Sequence, residues 1–199
     1  MKSATVAVCL LVLTAGCIVQ TETSGPDTAT ASTPEKIDEK AESPAKPTTP
    51  SAATYDVEVS EIEDLVHRKM NQRRKAHGVE PLARSEKLDA IARYKSWDMA
   101  QRDYFTHDGA QGNQYGHLRK QYSADCPTIG QNLHRANHTG SRVQEELHNT
   151  EKVAKTTVNS LMNSPGHRQN ILDPDYEVQG IGVFVDENGT VFLTQEFCG

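Results

Sequence analysis

Apolar residues recur with helical spacing at the start of the folded part of the chain. Ser60 and Glu63 form a capping-box pattern, and the helix predicted after them ends at Gly78. Its apolar face comprises Ile62, Leu65, Val66 and Met70. A second helix is predicted from Ser85 to about Asp103. Its stripe comprises Leu88, Ile91, Ala92, Met99 and Ala100.

Two more helices are predicted further along the chain. One is short and covers residues 115–122. The other begins near Thr150 and is stopped by Pro165 and Gly166, because proline and glycine end helices. Its inward residues are Val153, Ala154, Val158, Leu161 and Met162.

The apolar pattern changes to that of β-strands near the C terminus. Residues 181–185 and 191–197 are rich in β-formers, and Asn188–Gly189 between them favours a tight hairpin. A further short strand is expected around residues 128–132. Helices that precede an antiparallel hairpin predict an α+β layered fold rather than a parallel βαβ fold.

The first 17 residues have the pattern of an export signal. Lys2 precedes a short apolar run, and small residues lead into Cys17. The segment "LTAGC" resembles the lipobox of prokaryotic lipoproteins, although Thr14 departs from the usual aliphatic residue. We therefore expect lipidation at Cys17, which would anchor the protein to a membrane. Cleavage and release of a secreted chain is the alternative.

Residues 18–54 are dominated by Thr, Ser, Pro, Ala and Glu, so they can bury little apolar surface. We expect a disordered tether with an end-to-end distance of about 30 to 35 Å. Residues 55–199 then form the folded domain. The formal net charge of −6 argues against nucleic acid as a partner bound through a basic surface.

The remaining cysteines indicate a disulfide. Once Cys9 leaves with the signal and Cys17 is lipidated, Cys126 and Cys198 are left in an oxidising compartment. A bridge between them would contribute about 4 kcal/mol in the chain-entropy model. Two free buried thiols are the alternative.

Several short motifs occur in a characteristic order. They are "NQRRKAHGVEPL", "WDMAQRDYFTHDG", "IGQNL", "LMNSPGHRQNIL", "GIGV" and "TQEFCG". In order and spacing they resemble the CAP superfamily of cysteine-rich secretory proteins, antigen-five and pathogenesis-related proteins, and most closely its prokaryotic SCP-domain type. The resemblance implies an αβα sandwich, with a small antiparallel sheet between helices. It also implies a cleft that many eukaryotic members line with two histidines and two acids.

This chain matches that cleft only in part. His107 corresponds to the first family histidine, but Gln131 stands where the family has a glutamate. Ser164 falls at the second acid, and Phe192 falls near the second histidine. His167 belongs to the prokaryotic "SPGHR" motif and could face the same cleft. The ligand-binding cleft is therefore assigned to His107, Gln131 and His167.

These residues set limits on the chemistry. Two imidazoles suit zinc or another divalent cation, so His107 and His167 are the candidate metal ligands. Gln131 offers only a neutral carbonyl oxygen, so we expect a weak metal site or none, and no certain cofactor. Alternatively, the Gln131 amide links the two histidines as polar scaffolding.

These features predict an exported, lipid-anchored CAP-domain protein that acts as a non-catalytic binding module in the cell envelope. It would lie on the outer face of the cytoplasmic membrane or on the cell surface, or be secreted. Its partner would be a small molecule, a lipid or an envelope protein. The alternative is an extracellular, metal-dependent hydrolase using the same cleft. The sequence has neither a G-x-S-x-G elbow nor an H-E-x-x-H helix to support that alternative.

Overall fold

The computed structural model describes residues 57–109, 126–138, 140 and 142–199. Its helices are α1 (Val59–Ala76), α2 (Glu86–Gln101), α3 (Val143–His148), α4 (Thr150–Asn163) and α5 (Pro165–Ile171). Its strands are β1 (Ala83–Arg84), β2 (Ile129–Asn137), β3 (Val178–Val185) and β4 (Thr190–Cys198). The predicted signal, Cys17, the tether and the short helix over residues 115–122 lie outside the described residues.

The strands form a four-stranded sheet in the order β1-β3-β4-β2. The predicted hairpin is present, since β3 and β4 pair antiparallel and Val185 lies opposite Val191. Strand β2 pairs antiparallel with β4 along its whole length, from Ile129 to Asn137. The two-residue β1 is parallel to β3, so the sheet is not wholly antiparallel as expected.

Helices cover both faces of this sheet, as the predicted αβα sandwich requires. The larger core lies between one face and helices α1 and α4. All five inward residues predicted for α4 are buried there. Helix α2 packs on the other face, where Leu88, Ile91 and Tyr94 form a second cluster.

Two glycines of the "GIGV" motif allow α2 to approach the sheet closely. A Cβ at Gly180 would lie 2.2 Å from the backbone of Leu88, and one at Gly182 would lie 2.0 Å from the backbone nitrogen of Arg93. Any side chain at either position would therefore collide with the α2 backbone. The motif sets the spacing between helix and sheet.

Buried carboxylates accept hydrogen bonds from backbone N–H groups of β3, along the part of its edge that the short strand β1 does not cover. Asp89 accepts a hydrogen bond from the backbone N–H of Ile181 at 2.7 Å, and Glu63 accepts one from Val183 at 3.1 Å. Arg93 donates to Glu63 with two nitrogens, so the buried charge is balanced. Helices α1 and α2 thereby supply hydrogen bonds that a longer β1 would have made.

The structure corrects two local predictions and adds a helix to a third. Ser60 lies inside α1, whose N-cap is Glu58 without a side-chain bond, so no capping box forms. Pro165 and Gly166 end α4 but also begin α5, because proline is well suited to the first helical turn. Strand β2 continues to Asn137, beyond the short strand expected around residues 128–132.

The structure contains the predicted disulfide between Cys126 and Cys198. Cys126 precedes β2 and Cys198 ends β4, so the bridge joins the paired ends of two neighbouring strands. Among the described residues, no helix has the length and apolar character needed to cross a membrane.

Candidate functional site

A chain of three side chains crosses from an exposed loop to the buried sheet. The Nδ1 of His107 lies 2.9 Å from the amide oxygen of Gln131. The amide nitrogen of Gln131 donates to the Glu196 carboxylate at 2.6 Å. His107 is exposed and Glu196 is almost completely buried. Gln131 therefore separates the imidazole from the carboxylate.

Glu196 determines the orientation of the Gln131 amide. An ionised carboxylate only accepts hydrogen bonds, so the amide nitrogen of Gln131 faces Glu196 and the amide oxygen faces His107. A neutral His107 must then carry its proton on Nδ1 to donate to that oxygen. Its Nε2 keeps a lone pair that can accept a proton, a hydrogen bond or a metal ion.

Two further histidines, His167 and His134, are linked to His107 by a series of charge interactions. Burial lowers the pKa of His167, and the positive charge of His107 lowers it further. The pKa of His134 is lowered to about 4, first by burial and then by the charges of His167 and His138. His134 Nε2 is buried and has no hydrogen-bond partner within the described part of the chain. His134 and His167 therefore favour the neutral form.

A ladder of buried amides lies on the opposite face of β2 and β4. Asn170 donates to Asn132 at 2.9 Å, Asn132 donates to Gln195 at 3.1 Å, and Gln195 donates to Gln179 at 2.8 Å. Gln179 then contacts Nδ1 of His67 on α1 at 2.9 Å. Asn132, Gln179 and Gln195 are fully buried. Each amide supplies both a donor and an acceptor, so the buried polar groups are satisfied.

This ladder also holds α5, the helix that carries His167. Asn132 donates to the backbone oxygen of His167 at 3.2 Å. Asn170 donates to the backbone oxygen of Gln131 at 3.3 Å. These bonds attach α5 to the outer edge of β2. They set the position of the His167 backbone relative to Gln131.

The structure brings together most of the residues that the sequence singled out. His107 and Gln131 are hydrogen-bonded, and His167 lies close enough for the charge of His107 to affect its pKa. Among the described residues the Gln131 side chain is hydrogen-bonded to His107 and Glu196, and no hydrogen bond joins it to His167. Ser164 lies at the junction of α4 and α5 and makes no side-chain capping bond.

Sequence reasoning missed Glu196, although it lies in the quoted "TQEFCG" motif. The alternation of β4 was the available signal, because it puts Glu196 and Gln195 on opposite faces. His67 and His134 were not singled out either, and both are partly buried. His67 contacts Gln179, and His134 lies within β2.

The donors at this site fit a metal ion poorly. Within the described ranges, no three His, Cys, Asp or Glu side chains converge in a way that could hold one. Gln131 contributes a neutral oxygen that already accepts from His107, and Glu196 already accepts from Gln131. A cation at His107 and His167 would therefore lack a directly coordinating carboxylate.

The chain is similar to known proteins in sequence and in fold. The chain is 31% identical over 183 residues to the uncharacterized protein YkwD of Bacillus subtilis, a match that covers 90% of this chain. It spans only 60% of that curated relative's length.

Solved structures share the fold. An extracellular SCP-domain protein from Bacillus anthracis has a TM-score of 0.54 at 25% identity, covering 76% of this chain and 44% of that protein. An outer surface protein from Borrelia burgdorferi has a TM-score of 0.57 at 14% identity, covering 71% of this chain and 95% of that protein.

The model of the CAP family, described as the cysteine-rich secretory protein family, matches residues 67–197. This range includes His107, Gln131, His167 and Glu196, as well as the whole sheet except the last residue of β4. With its αβα architecture and its similarity to bacterial SCP-domain proteins, the chain belongs to the CAP superfamily, in its prokaryotic form.

Proposed function

We propose that this chain is an exported, lipid-anchored binding module of the cell envelope, with a cleft at His107, Gln131 and His167 that takes a small ligand without transforming it. The observation that carries this proposal is the position of Gln131 between His107 and Glu196. A neutral amide stabilises a developing imidazolium much less than a carboxylate does.

The export part of the proposal rests on the N-terminal pattern and on the described relatives. The B. anthracis protein is called extracellular and the Borrelia protein is called an outer surface protein. A Cys17→Ala variant tests the anchor. The variant should move from the membrane fraction to the soluble fraction, and unchanged partitioning would refute lipid anchoring at this cysteine.

Any divalent cation in this cleft would be held weakly. The candidate ligands are imidazoles, and the Glu196 carboxylate already accepts a hydrogen bond from Gln131. Losing a coordinating anion removes a large Coulomb attraction, since unit charges 4 Å apart attract by about 4 kcal/mol at intermediate dielectric. We therefore propose that the cleft binds its ligand through uncharged groups and hydrogen bonds, and that a metal ion occupies it only weakly.

One observation favours the alternative of an extracellular hydrolase. The hydrogen bond from Nδ1 of His107 leaves its Nε2 free to accept a proton, as a general base must. Glu196 is hydrogen-bonded to the nitrogen of the same Gln131 amide, and its negative charge would polarise the hydrogen bond between Gln131 and His107. The hydrolase hypothesis thus predicts that activity depends on His107 in particular.

A substrate screen separates the two hypotheses. The purified domain, His107→Ala, His167→Ala and the surface control His148→Ala should be assayed against peptide, ester and glycan substrates. A binding module shows no turnover above the level of the variants. Turnover that is abolished by His107→Ala or His167→Ala, and kept in His148→Ala, would reject the binding-module proposal. Mass spectrometry of molecules that co-purify with the domain would then identify the ligand.

A further inference from the structure

The loop after α2 runs along one face of the edge strand β2. His107 is hydrogen-bonded to Gln131, and the ring of Phe105 lies 5.1 Å from the guanidinium carbon of Arg135. Gln131 and Arg135 are four residues apart on a strand, so both point to the same face. Their Cα atoms are about 13 Å apart at the usual rise of a strand. The two contacts therefore define an elongated strip.

Arg135 has no acidic partner in the part of the chain that the structure describes, and it contacts an exposed aromatic ring instead. Arg84, Arg93 and Arg102 each form an ion pair with a carboxylate. Arg135 is exposed, and among the described residues it forms neither an ion pair nor a side-chain hydrogen bond. Its guanidinium lies over the Phe105 ring in a cation–π contact. The N–H groups at the edge remain available to an anion in a bidentate arrangement.

Phe105 provides an apolar surface beside this cation. With 38% of its surface exposed, it is one of two large hydrophobic residues that are exposed in the described part of the chain. The contact with Arg135 places the cation and the ring side by side in the absence of a ligand. A cation and ring that are already in contact lose less conformational entropy on binding than two free side chains would.

We propose that Arg135 and Phe105 form a subsite for an anionic group, a carboxylate or a phosphate, attached to a ring or other apolar body. The anion binds the edge of the Arg135 guanidinium, and the apolar body packs on Phe105. The far end of such a ligand reaches His107, whose Nε2 accepts a hydrogen bond from it. This subsite rests on the proposed role of the cleft and names the class of ligand that the cleft takes.

The test uses small probes and the intact domain. Phenyl phosphate and benzoate represent the two anions, inorganic phosphate lacks the ring, and benzyl alcohol lacks the charge. Affinities are measured by NMR titration of the parent, Arg135→Gln, Arg135→Lys and Phe105→Ala. Arg68→Gln is the matched control, because Arg68 is exposed on α1 and its loss changes the net charge equally.

We expect phenyl phosphate, benzoate or both to bind the parent at least tenfold more tightly than inorganic phosphate or benzyl alcohol. Arg135→Gln should weaken that binding about tenfold, because the bidentate contact is lost. Arg135→Lys should weaken it less, since the charge remains, and Phe105→Ala should remove the preference for the ring. Arg68→Gln should bind like the parent. If only one anion binds, that result identifies the anion.

Equal losses of affinity in Arg135→Gln and Arg68→Gln would overturn the proposal, because they would show an effect of net charge alone. Equal binding of inorganic phosphate and phenyl phosphate would overturn the role of Phe105. Neither result concerns turnover. Failure of the subsite is therefore distinguishable from failure of the proposed binding module, which is decided by the substrate screen.

Discussion

Gln131 and Glu196 lie opposite each other on β2 and β4 and are joined by a 2.6 Å hydrogen bond between amide and carboxylate. This pair differs from the acid-histidine contact that the family resemblance implies. The carboxylate is present, but it comes from another strand and reaches His107 only through an amide. The pair explains how a buried glutamate is satisfied, and it sets the tautomer of the exposed histidine.

Replacing Gln131 by glutamate should convert the cleft into a zinc site. The variant would have His107, His167 and a carboxylate, with Glu196 directly behind it. We expect Gln131→Glu to bind zinc at least tenfold more tightly than the parent, a gain of about 1.4 kcal/mol. Isothermal titration of zinc measures the difference. The gain should disappear when His107 or His167 is also replaced by alanine.

The same substitution should destabilise the metal-free domain. Two carboxylates at hydrogen-bond distance repel each other unless one takes up a proton, and Glu196 has almost no access to water. We expect a loss of about 1 to 3 kcal/mol at pH 7, measured by urea denaturation with a chelator present. Zinc should restore part of this loss. Equal zinc affinities for parent and variant would show that the three side chains do not converge.

Asn132→Ala should be strongly destabilising. Asn132 is fully buried, and its loss leaves Gln195, Asn170 and the His167 carbonyl without one hydrogen-bond partner each. Buried polar groups left unsatisfied cost about 1 to 3 kcal/mol each, so we expect a total of at least 2 kcal/mol in urea denaturation.

Asn159→Ala is the matched control for this experiment. Its side chain accepts an exposed hydrogen bond from Arg73, so its loss should cost less than about 1 kcal/mol. Similar costs for the two variants would contradict the view that the amide ladder supports the site. The His167 resonances should also shift in Asn132→Ala and remain in place in Asn159→Ala.

The disulfide should stabilise the fold by lowering the conformational entropy of the unfolded chain. Cys126 and Cys198 are 72 residues apart, and the chain-entropy model gives about 4 kcal/mol for a loop of this length. We expect the Cys126→Ser, Cys198→Ser double variant to unfold at clearly lower urea concentration than the oxidised parent. Thiol counting on the denatured, unreduced mature chain should find neither cysteine free. A reactive thiol at either position would refute the bridge.

His134 should make the domain less stable in acid. Its folded pKa of about 4 lies below the unfolded value near 6.5, so the unfolded state binds the proton first. Stability is full above pH 6.5 and falls as the pH drops from there towards 4. The loss attributable to this residue is of the order of 3 kcal/mol at most.

A His134→Gln variant removes this titration. Between pH 7.5 and 4.5 its free energy of unfolding should fall by about 1 to 3 kcal/mol less than that of the parent. His148→Gln, an exposed control, should follow the parent. A parent whose His134 resonances titrate near pH 6.5 would contradict the burial argument.

The amino-acid sequence alone determined the elements whose signals are local. The α4 stripe, the Asn188–Gly189 hairpin and the Ser85 start of α2 each depend on a few neighbouring residues, and the structure has all three. The cysteine count, together with the export signal, predicted the Cys126–Cys198 pair. The family motifs implied the sandwich through resemblance alone, and the structure shows that the glycines of one motif control how closely α2 approaches β3.

Only the tertiary structure decided what His107 contacts. Gln131 is 24 residues from His107 and 65 from Glu196 along the chain, so no local pattern relates the three. The register of β2 on β4 sets Gln131 opposite Glu196, and a shift of one residue would turn either side chain to the other face. The same register puts Asn132 opposite Gln195, in the amide ladder. Register depends on the packing of both sheet faces, which is a property of the whole fold.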